Sequence, residues 1–232
     1  RYFLKLHDLA RAQIGVKNYN EAKIIIDKIK DDYGSLVGYE HPDYGKLLKH
    51  LGIIEMEIKE FKSSIKNLSN ANEILISQID EVFKFRSEEE NKKYLQSIIF
   101  EFDELQSLPT KNKSSSEFLV ELNLNNQLLL KNLLLTQSKK VMDKLLSTND
   151  SAIVNQVYEY KGIKSRLHKI YSNGFSEATD ELKIELNRKE KELIKLYSDY
   201  FNDNTSVTKN WVESKLKLKE NEIAIEFANF KN

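Results

Sequence analysis

Residues 38–75 read GYEHPDYGKLLKHLGIIEMEIKEFKSSIKNLSNANEIL, and this stretch decides the fold. His41-Pro42 opens a helix, because proline at the first helical position gives up no needed N–H and has its φ preset. Leu48, Leu51 and Gly52 then fall at helical spacing, and a second helix follows from Phe61 through Leu68 to Ala71. The same pattern stands 42 residues earlier, which superposes Tyr2 on Tyr44, Leu6 on Leu48, Leu9 on Leu51 and Ala10 on Gly52. It continues with Tyr19 on Phe61, Ala22 on Ser64 and Ile26 on Leu68. Large residues meet large ones and small meet small, so each unit is predicted to be a helical hairpin. The small residues let paired helices approach while Leu, Ile and the aromatics fill the gaps.

Composition supports helices throughout. With 40% apolar and 31% charged residues in 232, the chain has enough material for a core and is too hydrophobic for general disorder. Only 7 Gly and 2 Pro occur, and their scarcity predicts a few long helices on short links. Lys plus Arg and Asp plus Glu number 36 each, so no net field draws the chain to nucleic acid or an anionic membrane. No run approaches 18 uncharged apolar residues, and RYFLKLHDLA at the start lacks the pattern of a secretory signal. There is no cysteine, which removes disulfides, thiol nucleophiles and thiolate metal sites from consideration, and a cytoplasmic setting is the expectation.

Beyond residue 80, Ser87-Glu88-Glu89-Glu90 reads as a capping box, and the helix it starts carries Tyr94, Ile98, Ile99, Phe102 and Leu105 and is expected to stop before Pro109. A long leucine-dense helix begins near Glu117 with Leu119, Leu122, Leu129, Leu133, Val141, Met142 and Leu145. STND at 147–150 breaks it, and Ile153, Val157, Tyr160, Leu167 and Ile170 mark the returning helix, with Asn173-Gly174 as its stop. Leu182, Leu186, Leu193, Leu196 and Tyr200 then fall at heptad spacing with Lys189 interrupting, which suits a coiled-coil arm. At the end, Ile223, Ile225 and Phe227 alternate with Ala224, Glu226 and Ala228 as one β-strand, expected to open a sheet that continues past this chain. The other end, Arg1, opens on a helix already in progress and reads as a cut.

The hairpin unit resembles a tetratricopeptide repeat in its 42-residue form, with Leu48, Leu51, Gly52, Phe61 and Ala71 at that family's packing positions. It departs from the pattern at Glu55, where an aromatic is usual, and at Ser64, where Ala is usual. Three further stretches resemble the region that joins such repeats to the peptidase in CHAT (caspase-like, tetratricopeptide-associated) proteins. They are NLNNQLLLKNLLL at 123–135, the charged hairpin from YEYKGIKSRLHKIY at 158–171 to ELNRKEKELIKLYSDY at 185–200, and NWVESKLKLKENEIAIEF at 210–227. In the last of these Trp211, Val212, Leu216, Lys219, Glu222, Ala224, Ile225, Glu226 and Phe227 follow that family's entry to its first strand. The expected fold class is therefore all-α: tetratricopeptide-like hairpins over 1–80, then long antiparallel helices of a hairpin or coiled-coil-like linker over 81–206, with one short terminal β-strand. Residues 207–232 would start a missing α/β domain.

What the resemblance implies is a non-catalytic interaction and regulatory module that binds a protein or peptide and couples it to a caspase-like cysteine peptidase domain further along the same polypeptide. By the family register, His7, Arg11, Ile14, Lys46, Lys49, Ile53 and Met56 would line the partner-binding face of the first helices. No cofactor, metal, nucleic acid or membrane is expected. His7, His41, His50 and His168 sit in no ligand-spaced cluster, so a structural or surface role is expected of each, with His41 as a helix cap. Trp211 is expected to serve as core of the absent domain. Two alternatives stand: a free-standing tetratricopeptide regulator that senses a peptide, and a structural adaptor whose heptad helix at 182–200 makes a homo-oligomer.

Overall fold

The computed structural model describes residues 1–111, 116–172, 178–201 and 219–222. These residues are almost wholly helical and contain no strand: α1 Tyr2–Gly15, α2 Tyr19–Val37, α3 Pro42–Glu57, α4 Phe61–Phe83, α5 Glu88–Lys111, α6 Ser116–Leu146, α7 Ser151–Ser172 and α8 Ala178–Phe201. The strand read at 223–227, Trp211 and the Asn173-Gly174 stop lie outside the described residues. The chain forms two compact units, one of residues 1–79 with 108–122, the other of 80–107 with everything from 123 on.

In the first unit, α1 with α2 and α3 with α4 are antiparallel hairpins. Phe3, early in α1, meets Tyr33, late in α2, with ring centroids 5.6 Å apart. Gly45, early in α3, faces Ile74, late in α4, and Gly52 faces Leu68 further back along α4. A Cβ on Gly52 would stand 2.7 Å from Leu68 Cγ, so this crossing needs a residue with no side chain. The two departures from the repeat pattern tie the same helix pair together. Ser64 Oγ donates to the Gly52 carbonyl at 2.7 Å, and Asn67 Nδ2 donates to Glu55 Oε2 at 2.7 Å. Both are buried polar groups that need a partner, and each finds it across the hairpin.

The link within each hairpin repeats atom for atom. After α1, Lys17 N–H donates to the Ile14 carbonyl and Asn18 N–H to that of Gln13; after α3, Lys59 N–H donates to Met56 and Glu60 N–H to Glu55. This is a Schellman turn, which requires a left-handed residue just past the helix. Lysine takes that position both times, at φ 61° for Lys17 and 67° for Lys59.

In the second unit, Val141, Met142 and Leu145 of α6, Ile153, Val157 and Tyr160 of α7, and Leu193 and Ile194 of α8 share one core. Asp150 caps α7, its Oδ1 accepting from Ala152 N–H at 2.9 Å. Lys189 pairs with Glu159 at 2.9 Å, and Tyr200 Oη donates to Asp150 at 3.3 Å, which sets α8 antiparallel to α7. The capping box at the start of α5 is present: Glu90 N–H reaches Ser87 Oγ at 3.4 Å and Ser87 N–H reaches Glu90 Oε2 at 3.2 Å.

One boundary differs from the sequence reading. The fifth helix does not stop before Pro109 but runs through it to Lys111. Proline has no N–H for the Leu105 carbonyl one turn back, and that carbonyl instead accepts from Asn123 Nδ2 on α6, at 3.0 Å. The break that proline normally forces is avoided because a neighbouring side chain replaces the missing donor.

Candidate functional site

The residues expected to meet a partner lie on α1 and α3, the first helices of the two hairpins, and they divide by burial. His7, Lys49 and Met56 are buried, Ile14 and Ile53 are half-buried, and Arg11 and Lys46 are exposed. Ile14 packs against the core of the first unit. The part of this set that a ligand can reach is thus the two cations, with the edges of the two isoleucines beside them. Arg11 lies 3.5 Å from Asp8 and Lys46 lies 3.5 Å from Asp43. Both are solvent-exposed pairs one turn apart on a single helix, which contribute little and are readily exchanged for an external carboxylate.

Between α1 and α3 the sequence reading missed a contact. His7 Nε2 and His50 Nδ1 are 2.9 Å apart, one ring donating and the other accepting, with ring centroids at 4.9 Å in an edge-on arrangement. Burial, then the Lys49 ammonium and the His7 ring, push His50 down to about 2. Burial and the Arg11 guanidinium also lower His7, against the opposing pull of Asp8 and Asp43. Both rings are neutral at neutral pH. An imidazole held so far below its ordinary value is a poor general base, so the pair serves as a neutral hydrogen-bonded link between the two hairpins. The spacing of 43 residues, one repeat plus one, is the signal that relates the two histidines; a search for short ligand motifs passes over it.

A second polar cluster, equally unforeseen, surrounds the buried Glu190 in the second unit. Ser138 Oγ donates to Glu190 Oε1 at 2.6 Å, and burial raises the Glu190 carboxyl above its usual value. Lys164 pairs with Glu88 at 2.9 Å, and its Nζ stands 5.8 Å from the centre of the Tyr160 ring. A hydroxyl, a phenol and an amine in one place have the composition of an acid–base site. Burial and the Glu190 charge, however, raise the Tyr160 hydroxyl, so it holds its proton. Burial lowers the Lys164 amine, but its hydrogen bond to Glu88 together with the charges of Tyr160, Glu88 and Glu190 outweighs that and holds it above its ordinary value, so it stays protonated. The cluster clamps the start of α5 onto α7 and α8. Ser87 Oγ hydrogen-bonds Asn187 of α8, and Lys191 lies 2.6 Å from Glu90. Among the described residues, no group of three or more His, Asp or Glu side chains is placed to hold a metal ion.

No protein-family model, curated protein or solved structure matches this chain.

Proposed function

We propose that this chain is the interaction and regulatory part of a protein in which tetratricopeptide-like repeats are joined to a CHAT-type caspase-like cysteine peptidase. The repeats bind a protein or peptide, and the helices that follow pass that event to the peptidase. The observation that carries the repeat reading is the pair of identical Schellman turns at Lys17 and Lys59. Two hairpins that agree in individual backbone hydrogen bonds speak for a stacked repeat, an architecture whose extended surfaces hold other proteins. The exposed Arg11 and Lys46 favour a ligand with carboxylates, while the balanced charge of the whole chain argues against nucleic acid. No described helix is long and apolar enough to cross a membrane, and we place the module in the cytoplasm. The peptidase half of the reading rests on the resemblance of the stretches at 123–135, 158–200 and 210–227, with the alternation at 223–227 expected to open the peptidase's sheet.

The encoding gene tests it directly. Past Asn232 it is expected to encode a caspase-like α/β domain with a His and then a Cys near strand ends. A stop codon at that point would transfer the reading to a free-standing peptide-sensing regulator, which the cationic edge at Arg11 and Lys46 serves equally well. For the binding face, Arg11→Glu with Lys46→Glu is expected to weaken binding of an acidic partner peptide by tenfold or more in titration calorimetry. Unchanged affinity would place the partner elsewhere.

A further inference from the structure

The two hairpins share one register, yet one set of equivalent positions differs sharply in burial. On α3, Tyr44, Leu47, Leu51 and Ile54 form a stripe at helical spacing that is buried throughout, with Ile58 half-buried beyond it. This stripe packs with Ile26, Ile29 and Tyr33 of α2 in the first unit's core. The Tyr44 ring presses so close to α2 that a Cβ on Gly34 would stand 2.8 Å from it. The equivalent stripe on α1 is Tyr2, Lys5, Leu9, Ala12 and Val16, and all five are exposed. Tyr2 is 60% exposed against 7% for Tyr44, and Leu9 is 46% exposed against 1% for Leu51. Positions inside each hairpin show no such difference: Ala10 and Gly52, Ala22 and Ser64, Ile26 and Leu68 are buried in both copies. The α1 stripe is exposed because, among the described residues, no helix stands to it as α2 stands to α3.

We propose that the stripe Tyr2, Leu9, Ala12 and Val16 is a docking surface for the second helix of another helical hairpin, seated on α1 as α2 is seated on α3. Lys5 selects for a carboxylate on that incoming helix. Four of the five positions are apolar although they face solvent, whereas a repeat that ends a stack presents a polar outer face. The fifth, Lys5, stands where α3 has the fully buried Leu47. A helix that covered it to the same depth would strand an ammonium unless it brought an opposite charge. The occupant is therefore an amphipathic helix with apolar residues every three to four positions and an acidic residue facing Lys5. This assignment does not depend on the peptidase reading.

A second copy of residues 1–42 placed directly ahead of Arg1 supplies such a hairpin in register while leaving the full chain intact. With Lys5→Leu in both chains, so that the apolar face of the copied α2 covers no ammonium, the thermal midpoint of the hairpin unit is expected to rise by several degrees over the unextended chain. Leu9→Lys in the downstream copy should erase that rise, yet move the midpoint little in the unextended chain, where Leu9 faces water. With Lys5 retained opposite that apolar face, the rise on extension should shrink, while the unextended chain is little affected by the same change. An unchanged midpoint on extension, or an equal effect of Leu9→Lys in both chains, would overturn the proposal. Sedimentation of the unextended chain separates the remaining alternative. A monomer at all concentrations supports a hairpin occupant; a concentration-dependent dimer abolished by Leu9→Lys would assign the stripe to a second copy and overturn it.

Discussion

His7 and His50 are buried against each other with cations at their edge, and the direction of their titration follows from that placement. Both folded-state values lie below the ordinary 6.5, so above that pH neither state binds a proton and the pair adds no pH dependence. As pH falls below 6.5 the unfolded chain takes up protons that the folded pair refuses, and stability declines. Between about pH 7 and about pH 5.5, above the usual range of carboxylate titration, the first unit should lose stability in chemical denaturation, and His7→Gln with His50→Gln should flatten that loss. A slope unchanged in the double variant would show that other groups set it. Lys59 poses a different problem, a lysine in the left-handed region where glycine carries no steric penalty. Lys59→Gly and Lys17→Gly should each stabilise by up to about 1 kcal/mol in urea unfolding, with relief of strain outweighing the entropy lost to glycine. At this scale the sequence was only partly legible. The cap role of His41 is there, its Nδ1 accepting from Asp43 N–H at 3.1 Å. The histidine pair and the lysine turns are not, because both depend on a neighbouring helix or a backbone angle that residue type alone does not report.

Among the elements, α5 shows most plainly where local rules yield to neighbours. Its start was legible because a capping box is local: Ser87 and Glu90 satisfy each other within one turn. Burial raises the Glu90 carboxyl, but the hydrogen bonds from Lys191 and from Ser87 N–H, together with the Lys191 and Arg86 charges, outweigh it and hold the group below its usual value. Its end was illegible because Asn123, which replaces the donor that Pro109 lacks, comes from α6. Asn123→Ala should cost about 1–3 kcal/mol by leaving a buried carbonyl unmet. Pro109→Ala restores an N–H to that carbonyl, so in its background the cost of Asn123→Ala should shrink to a fraction. A double-mutant cycle in urea measures this coupling, and additive effects would sink the substitution of donors. The eighth helix makes the converse point. Its heptad was legible, but its purpose was not, because Leu193 is buried in the core shared with α6 and α7 and Leu186 packs against that core. The seam read as an oligomer arm is in large part used inside the chain. Between them sits Glu190, buried and raised, so that folding favours its protonated form and its stabilising contribution is lost as pH rises through the folded value. Glu190→Gln should therefore raise the thermal midpoint at pH 7, with the gain shrinking toward pH 4.

For the whole molecule, the all-helical class followed from the scarcity of glycine and proline, but the return of a later segment to the first unit did not. Residues 108–122 fold with the first unit although most of the chain around them belongs to the second. Leu108 and Leu119 are buried there, and no local pattern distinguishes a leucine that packs on a distant hairpin from one that packs on its own helix partner. Each unit nevertheless has its own apolar core, one around Leu51 and one around Leu193. Truncating either to alanine should cost about 2–5 kcal/mol, since both side chains are fully enclosed. Stability in a chain with two cores need not be lost everywhere at once. Residue-resolved hydrogen exchange is the measurement that shows where it is lost. Leu51→Ala should strip protection from α1, α2 and α3 while α7 and α8 keep theirs, and Leu193→Ala should do the reverse. If either substitution lowered protection in both sets of helices by the same free energy, the two cores would be a single cooperative structure.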